Sequence, residues 1–130
     1  MESLTITPIY AALLGLILLV LSVRVIAVVR AKGTNYGDGG NPEFTTVIRG
    51  QGNFIEYVPL ALILIAFAEA GGTSGTWIHA MGATLVVARI LHPLGLKTDP
   101  APNPLRFIGT VATLIVLLAS PVFVLINQLG

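Results

Sequence analysis

The sequence of 130 residues contains no cysteine and few charged residues, and each deficit narrows what the protein can be. Without cysteine there is no disulfide, no thiolate metal site and no cysteine nucleophile. Charged residues make up 10% of the chain, against about 25% in soluble domains. The net charge of +1 gives no electrostatic basis for binding nucleic acid. The hydrophobic fraction is 55%, more than a soluble chain of this length could bury, so the composition indicates a single integral membrane domain over residues 1–130.

Four long apolar segments predict an all-α fold, a bundle of four transmembrane helices, because a span needs about 20 mainly apolar residues. We expect helices at roughly residues 8–31, 42–69, 74–96 and 104–128. The first segment is interpreted as a retained helix rather than a signal peptide, since no basic residue precedes Arg24. Three prolines are expected inside helices, where neighbouring helices can re-satisfy the freed carbonyls: Pro59, Pro93 and Pro121.

The predicted helix starts carry capping residues. A side-chain oxygen can accept from an unpaired N–H at a helix start, and proline loses no hydrogen bond at the first helical position. Thr73 or Ser74 is expected to cap the third helix. The other three starts share a capping residue followed by proline: Thr7-Pro8, Asn41-Pro42 and Asn103-Pro104.

The cations are confined to one side of the predicted membrane domain. All seven lie near the loop between the first two helices or the loop between the last two: Arg24, Arg30, Lys32, Arg49, Arg89, Lys97 and Arg106. By the positive-inside rule, these two loops face the cytoplasm and both termini face outside.

Polar residues at one depth of the four helices predict a pocket. Charged groups at membrane depth are expensive and usually face the bundle interior. Four arginines against one glutamate suit a small zwitterion with more than one carboxylate, because arginine binds carboxylates and the glutamate can hold an ammonium. The candidates are Arg24 on the first helix, Arg49, Asn53 and Glu56 on one face of the second, Arg89 and His92 on the third, and Arg106 on the fourth.

Simpler interpretations stand beside the pocket. Arg24, Arg30 and Lys97 can reach lipid headgroups, Arg49 and Glu56 can form a structural ion pair, and His92 can serve helix packing. At the outer side, His79 is interpreted as structural or interfacial, Trp77 as an interfacial anchor, and Glu69 as solvated.

The second helix carries a motif that identifies a family. Residues 49–59, RGQGNFIEYVP, resemble at every fixed position the pattern Arg-x-Gln-x-Asn-x-x-Glu-Tyr-x-Pro of the MAPEG family, membrane-associated proteins in eicosanoid and glutathione metabolism. Residues 88–92 are similar to the family's Ala-Arg-x-x-His/Tyr element on the third helix, and residues 104–106 to the start of the fourth.

The resemblance implies a homotrimer that binds glutathione as co-substrate between subunits near the cytoplasmic face, without a metal. Arg106 matches the arginine that stabilises the glutathione thiolate, since a cation beside a thiol lowers its pKa. An apolar electrophile would enter from the lipid bilayer. The glutathione-binding positions matched are Arg24, Arg49, Gln51, Asn53, Glu56, Tyr57, Arg89 and His92.

The leading functional prediction is a membrane-bound glutathione transferase, with or without peroxidase activity, of the small bacterial type found in the inner membrane. Eicosanoid-making members carry a tyrosine near the position of Leu96, so the sequence departs from the family pattern for that particular chemistry. The alternative is a non-catalytic lipid-binding or scaffold protein on the same fold. A transporter or channel is disfavoured, because only one polar ring is predicted and the fourth helix is uncharged beyond Arg106. Small residues on that helix, such as Gly109, are expected to permit close helix contact.

Overall fold

A computed structural model describes residues 4–32, 42–96 and 103–130. Within these residues the chain forms four helices and no strand: α1 (Thr7–Lys32), α2 (Pro42–Ala70), α3 (Gly75–Leu94) and α4 (Pro104–Leu129). All four are long and apolar enough to cross a membrane. The predicted all-α membrane bundle is therefore confirmed, and Pro59, Pro93 and Pro121 lie inside helices as expected.

Two helices form the middle of the bundle. Helices α2 and α3 pack against each other, and α1 and α4 each pack against both of them, whereas the backbones of α1 and α4 do not come close within the described residues. The core follows one stripe of α2 at helical spacing and is completed by side chains from the other three helices. The α2 stripe consists of Phe54, Val58, Ala61, Ile65 and Ala68, and Leu14, Leu85 and Val116 represent α1, α3 and α4 in the core.

The starts of α3 and α4 are capped as the sequence predicts. The Ser74 hydroxyl accepts from the Thr76 amide at 3.3 Å, and Asn103 Oδ1 accepts from the Leu105 amide at 2.9 Å. Asn41, predicted to cap α2, lies outside the described residues.

The start of α1 is capped by a residue from another helix. Glu69, near the end of α2, accepts hydrogen bonds from the backbone amides of Thr5, Ile6 and Thr7 at 3.1, 2.7 and 2.8 Å. Glu69 is half-exposed, so the solvent contact predicted for it is compatible with the structure, but the sequence analysis did not predict that it caps α1 in place of Thr7. The physical reason is that α1 and α2 are antiparallel, so a carboxylate meets the positive end of the α1 dipole and its unpaired amides.

Further polar contacts tie the same end of the bundle together. Asn127, near the end of α4, donates to the Ala68 carbonyl at 3.2 Å and to the Thr73 hydroxyl at 2.9 Å. Tyr10 on α1 shares a 2.7 Å hydrogen bond with His79 Nδ1 on α3, consistent with the structural role predicted for that histidine. We call this end of the bundle, which holds the contacts of Glu69, Asn127 and His79, the tied end.

Candidate functional site

At the opposite end of the bundle, a buried arginine joins three helices. Arg89 on α3 is fully buried, and its Nη1 donates to Asn53 Oδ1 on α2 at 2.8 Å and to the Thr113 hydroxyl on α4 at 3.4 Å. Its guanidinium lies 5.6 Å from the centre of the Phe54 ring, within range of a cation–π contact. The structure thus brings together Asn53 and Arg89, two of the predicted site residues.

Part of this buried polar group has no hydrogen-bond partner among the described residues. The atoms concerned are Arg89 Nε, Arg89 Nη2 and His92 Nδ1. Burying a charge or a polar atom without compensation costs free energy, and cations in membrane domains are usually paired. The two Arg89 nitrogens can each donate a further hydrogen bond, and His92 Nδ1 can donate or accept one depending on its tautomer.

His92 is a buried residue near arginines of three helices. It is 3% exposed, and its imidazole interacts electrostatically with Arg89 on its own helix, with Arg106 on α4 and with Arg49 on α2. Tyr57 on α2 in turn lies within electrostatic range of Arg89. Three helices therefore contribute cations around one buried imidazole, a partial form of the convergence predicted from the sequence.

Two glycines set how closely α3 and α4 approach beside this imidazole. A Cβ atom on Gly109 would lie 2.8 Å from the Ala88 carbonyl oxygen and 2.9 Å from the backbone nitrogen of His92, closer than Cβ atoms lie to other atoms in real proteins. A Cβ on Gly95 would overlap the backbone of Arg106. The close contact expected of Gly109 is thus made inside the chain, and the sequence analysis did not single out Gly95.

The remaining predicted residues lie on the surface of the single chain. Arg24, Arg49, Glu56 and Arg106 are exposed. Arg49 and Glu56 form the ion pair considered above, but the distance is 3.4 Å and their side chains are 54% and 50% exposed. Such an exposed ion pair contributes about 0–1 kcal/mol to the free energy of unfolding.

Gln51 reaches a partner that sequence reasoning did not identify. Its side-chain amide donates to the Ser22 hydroxyl on α1 at 2.9 Å. Thr113 was also missed, although a hydroxyl in a largely apolar helix is a recognisable signal. It donates to the Gly109 carbonyl at 2.8 Å while accepting from Arg89. Tyr57 and Asn53 are half-buried, so the α2 motif faces partly inward and partly outward.

A cavity of about 300 Å³ lies between α1 and α3 next to the buried arginine. Among the residues that the structure describes, its charged lining residues are Arg24 and Arg89. The other lining residues are Leu16, Ile17, Val20, Leu21, Ile90, Pro93 and Leu94.

Comparison with known proteins agrees with the motif on α2. The sequence profile of the MAPEG family matches residues 7–126, which include most of all four helices. The inner membrane protein YecN of Escherichia coli strain K12 is 34% identical over 90 residues, which is 69% of this chain and 69% of YecN. YecN of Escherichia coli O6:H1 gives the same values. The resemblance stated from residues 49–59 is confirmed, and this chain belongs to the MAPEG family.

Proposed function

We propose that this protein is a membrane-bound glutathione transferase that joins the glutathione thiolate to apolar electrophiles. The observation that carries the proposal is the set of arginines from three helices around the buried His92. The family to which the chain belongs includes glutathione transferases, and the α2 motif is complete here.

The charges suit glutathione, which has two carboxylates and one ammonium. Arg49 offers a guanidinium that can bind a carboxylate in bidentate fashion, and Glu56 offers a carboxylate for the ammonium. Their mutual ion pair is long and exposed, so exchanging it for a ligand costs little. Gln51, Asn53, Tyr57 and His92 supply further polar groups at the same end of the bundle.

Arg106 is proposed to stabilise the thiolate. Its backbone packs against Gly95, so α3 fixes where the first turn of α4 lies. A guanidinium beside the thiol lowers the pKa of the thiol and raises the fraction of nucleophilic thiolate. In conjugation, the sulfur forms a bond to the electrophilic carbon, the displaced leaving group takes the electron pair, and the thiol proton passes to solvent.

The proposed working unit is a homotrimer in the bacterial inner membrane. Arg49 and Glu56 are exposed on a helix that crosses the membrane, where uncovered charge is costly, so a neighbouring subunit covering this face supports assembly. The name of the relative YecN supports the inner membrane. The distribution of cations supports cytoplasmic loops between α1 and α2 and between α3 and α4, with both termini outside.

One observation favours a second candidate, a non-catalytic lipid-binding or scaffold protein. Asn53 and Arg89 already bond to each other inside the chain, so two of the matched positions have a structural role without any ligand. A scaffold would keep this internal contact and would not need Arg49, Glu56 or Arg106.

The test is glutathione titrated into detergent-purified protein, with ultraviolet absorbance of the thiolate and binding heat followed together. We expect a thiolate signal that Arg106→Gln abolishes while binding is retained. Arg30→Gln, which removes an exposed cation of α1 that matches no motif position, should retain both signals. If the unmodified protein gives neither binding nor thiolate, the transferase proposal is overturned and the scaffold candidate takes its place.

A further inference from the structure

The end of α3 and the start of α4 approach each other backbone to backbone. A Cβ atom on Gly95, the residue that follows α3, would lie 2.8 Å from the Cα atom of Arg106 and 2.9 Å from its Cβ atom, and it would overlap the Arg106 amide nitrogen. The φ of Gly95 is −89°, outside the left-handed region that favours glycine. The backbone conformation therefore does not require a glycine here, whereas the close approach of Arg106 does.

A second close approach lies one turn further along both helices. Gly109 on α4 lies against the backbone of His92 on α3. Three residues separate Gly109 from Arg106 on α4, and three residues separate His92 from Gly95 on the antiparallel α3, so the two contacts belong to one line between the helices. One glycine from each side of this line fixes both the distance between the helices and the register of α4 along α3.

The first turn of α4 is an unfavourable place for a cation. Asn103 caps the helix and Arg106 is its third residue, at the positive end of the helix dipole, and no acidic residue in that turn offsets the charge. The Asn103 side chain keeps the turn helical by accepting from the Leu105 amide at 2.9 Å. An anion beside this turn is stabilised by the guanidinium and by the helix start together.

The guanidinium of Arg106 depends on the backbone beneath it for its place. The side chain is exposed, and it makes no hydrogen bond or ion pair with the described residues. Only the position of the first turn of α4 therefore determines which points the guanidinium can reach.

We infer that Gly95 and Asn103 are positioning residues, which hold the first turn of α4 against the end of α3 and so keep the Arg106 guanidinium beside the sulfur of bound glutathione. The inference rests on the proposed transferase function and adds to it the residues through which the fold sets the activation of the thiol. Neither residue needs to touch the ligand, because both act through Arg106.

The experiment measures the pKa of the bound glutathione thiol in detergent-purified protein, from thiolate absorbance as a function of pH, with binding heat followed in parallel. Gly95→Ala adds a Cβ that pushes the first turn of α4 away. A cation that retreats by about 1 Å from a contact of about 4 Å stabilises the thiolate less, so the pKa of the thiol should rise by about 0.5 unit or more. Glutathione affinity should change by less than about threefold, since the other matched residues are untouched.

Asn103→Ala loosens the same turn without adding an atom, and the pKa of the bound thiol should rise by a smaller amount. Two variants at the tied end match these changes without affecting Arg106. Gly82→Ala places a Cβ against the Tyr10 ring, and Ser74→Ala removes the cap of α3. Both should lower the stability of the protein and leave the pKa of the bound thiol unchanged.

A double variant tests whether Gly95 acts through Arg106. In Gly95→Ala combined with Arg106→Gln, the bound thiol should titrate as in Arg106→Gln alone. A further rise of the thiol pKa in the double variant, or an equal rise in either variant at the tied end, would overturn the inference. If Gly95→Ala does not fold, an unchanged thiol pKa in Asn103→Ala overturns it.

Failure of the inference can be told apart from failure of the proposed function. If the unmodified protein forms the thiolate and neither Gly95→Ala nor Asn103→Ala raises the pKa of the thiol, the positioning role alone is overturned. If the unmodified protein forms no thiolate, the proposed function is overturned and the positioning role with it.

Discussion

Replacing Glu69 by glutamine should loosen the start of α1 while preserving the shape of the side chain. One carboxylate oxygen of Glu69 accepts from the amides of Thr5 and Ile6, and the other accepts from the amide of Thr7. A glutamine keeps one oxygen and puts an NH₂ group in place of the other, so at least one amide loses its acceptor. The hydrogen bonds that remain lose their charge assistance, and the side chain loses its favourable interaction with the dipole of α1. The expected cost is about 1.5–3 kcal/mol, the range for hydrogen bonds to charged groups.

The assay is hydrogen–deuterium exchange of the purified protein, compared between peptides from residues 4–15 and from residues 44–58. The first peptide should exchange about 10- to 100-fold faster in the variant, as the free-energy change requires, and the second should not change. Glu56→Gln is the control, because the contact of Glu56 in the described part of the chain is an exposed ion pair with Arg49, and it should leave exchange at the start of α1 unaltered. Unchanged exchange of residues 4–15 in Glu69→Gln would refute the capping argument.

Two further predictions concern packing and the buried arginine. Gly109→Ala should lower the free energy of unfolding in SDS by about 1–3 kcal/mol, because the new Cβ would press on the α3 backbone. The control Gly15→Ala places its Cβ in open space and should be neutral or slightly stabilising. Equal stability of the two variants would contradict the close contact at Gly109. Asn53→Leu should lower the free energy of unfolding by about 1.5–3 kcal/mol in the same experiment, because it removes the oxygen that accepts from Arg89 at 2.8 Å. Thr113→Val removes the acceptor that lies 3.4 Å from Arg89 and should lower the free energy of unfolding less. The reverse order would refute this ranking.

Local signals were sufficient to predict the helices. Each predicted boundary lies within two residues of the observed one, since long apolar runs define the spans and the caps at Ser74 and Asn103 use residues adjacent in sequence. The cap of α1 could not be predicted in this way. Glu69 follows Thr5 by 64 residues, and only the packing of α1 against α2 brings them together.

The helix face that carries the candidate residues of α2 could be predicted from their spacing, but the orientation of that face in the bundle could not. Spacing correctly put Arg49, Asn53 and Glu56 on one stripe of α2, yet spacing does not fix how a helix is rotated against its neighbours. In the structure the stripe lies at the edge of the bundle, so Asn53 reaches inward to Arg89 while the other two face outward. The Gln51–Ser22 contact depends in the same way on how α1 and α2 face each other.

The contacts at the tied end give α1 a pivot. Its first turn is held by Glu69 and Tyr10 is held by His79, but the backbone of α1 does not come close to that of α4 within the described residues. Arg24 lies about 26 Å along the helix from Thr7, at 1.5 Å per residue, so a tilt of about 3° about the pivot moves it by about 1.3 Å. A further bond opposes this tilt: Ser22, two residues before Arg24, accepts from Gln51 on α2 at 2.9 Å. Helix α1 is thus fixed to its neighbours at two points about 22 Å apart along its axis, which hold the cavity wall between α1 and α3 in place.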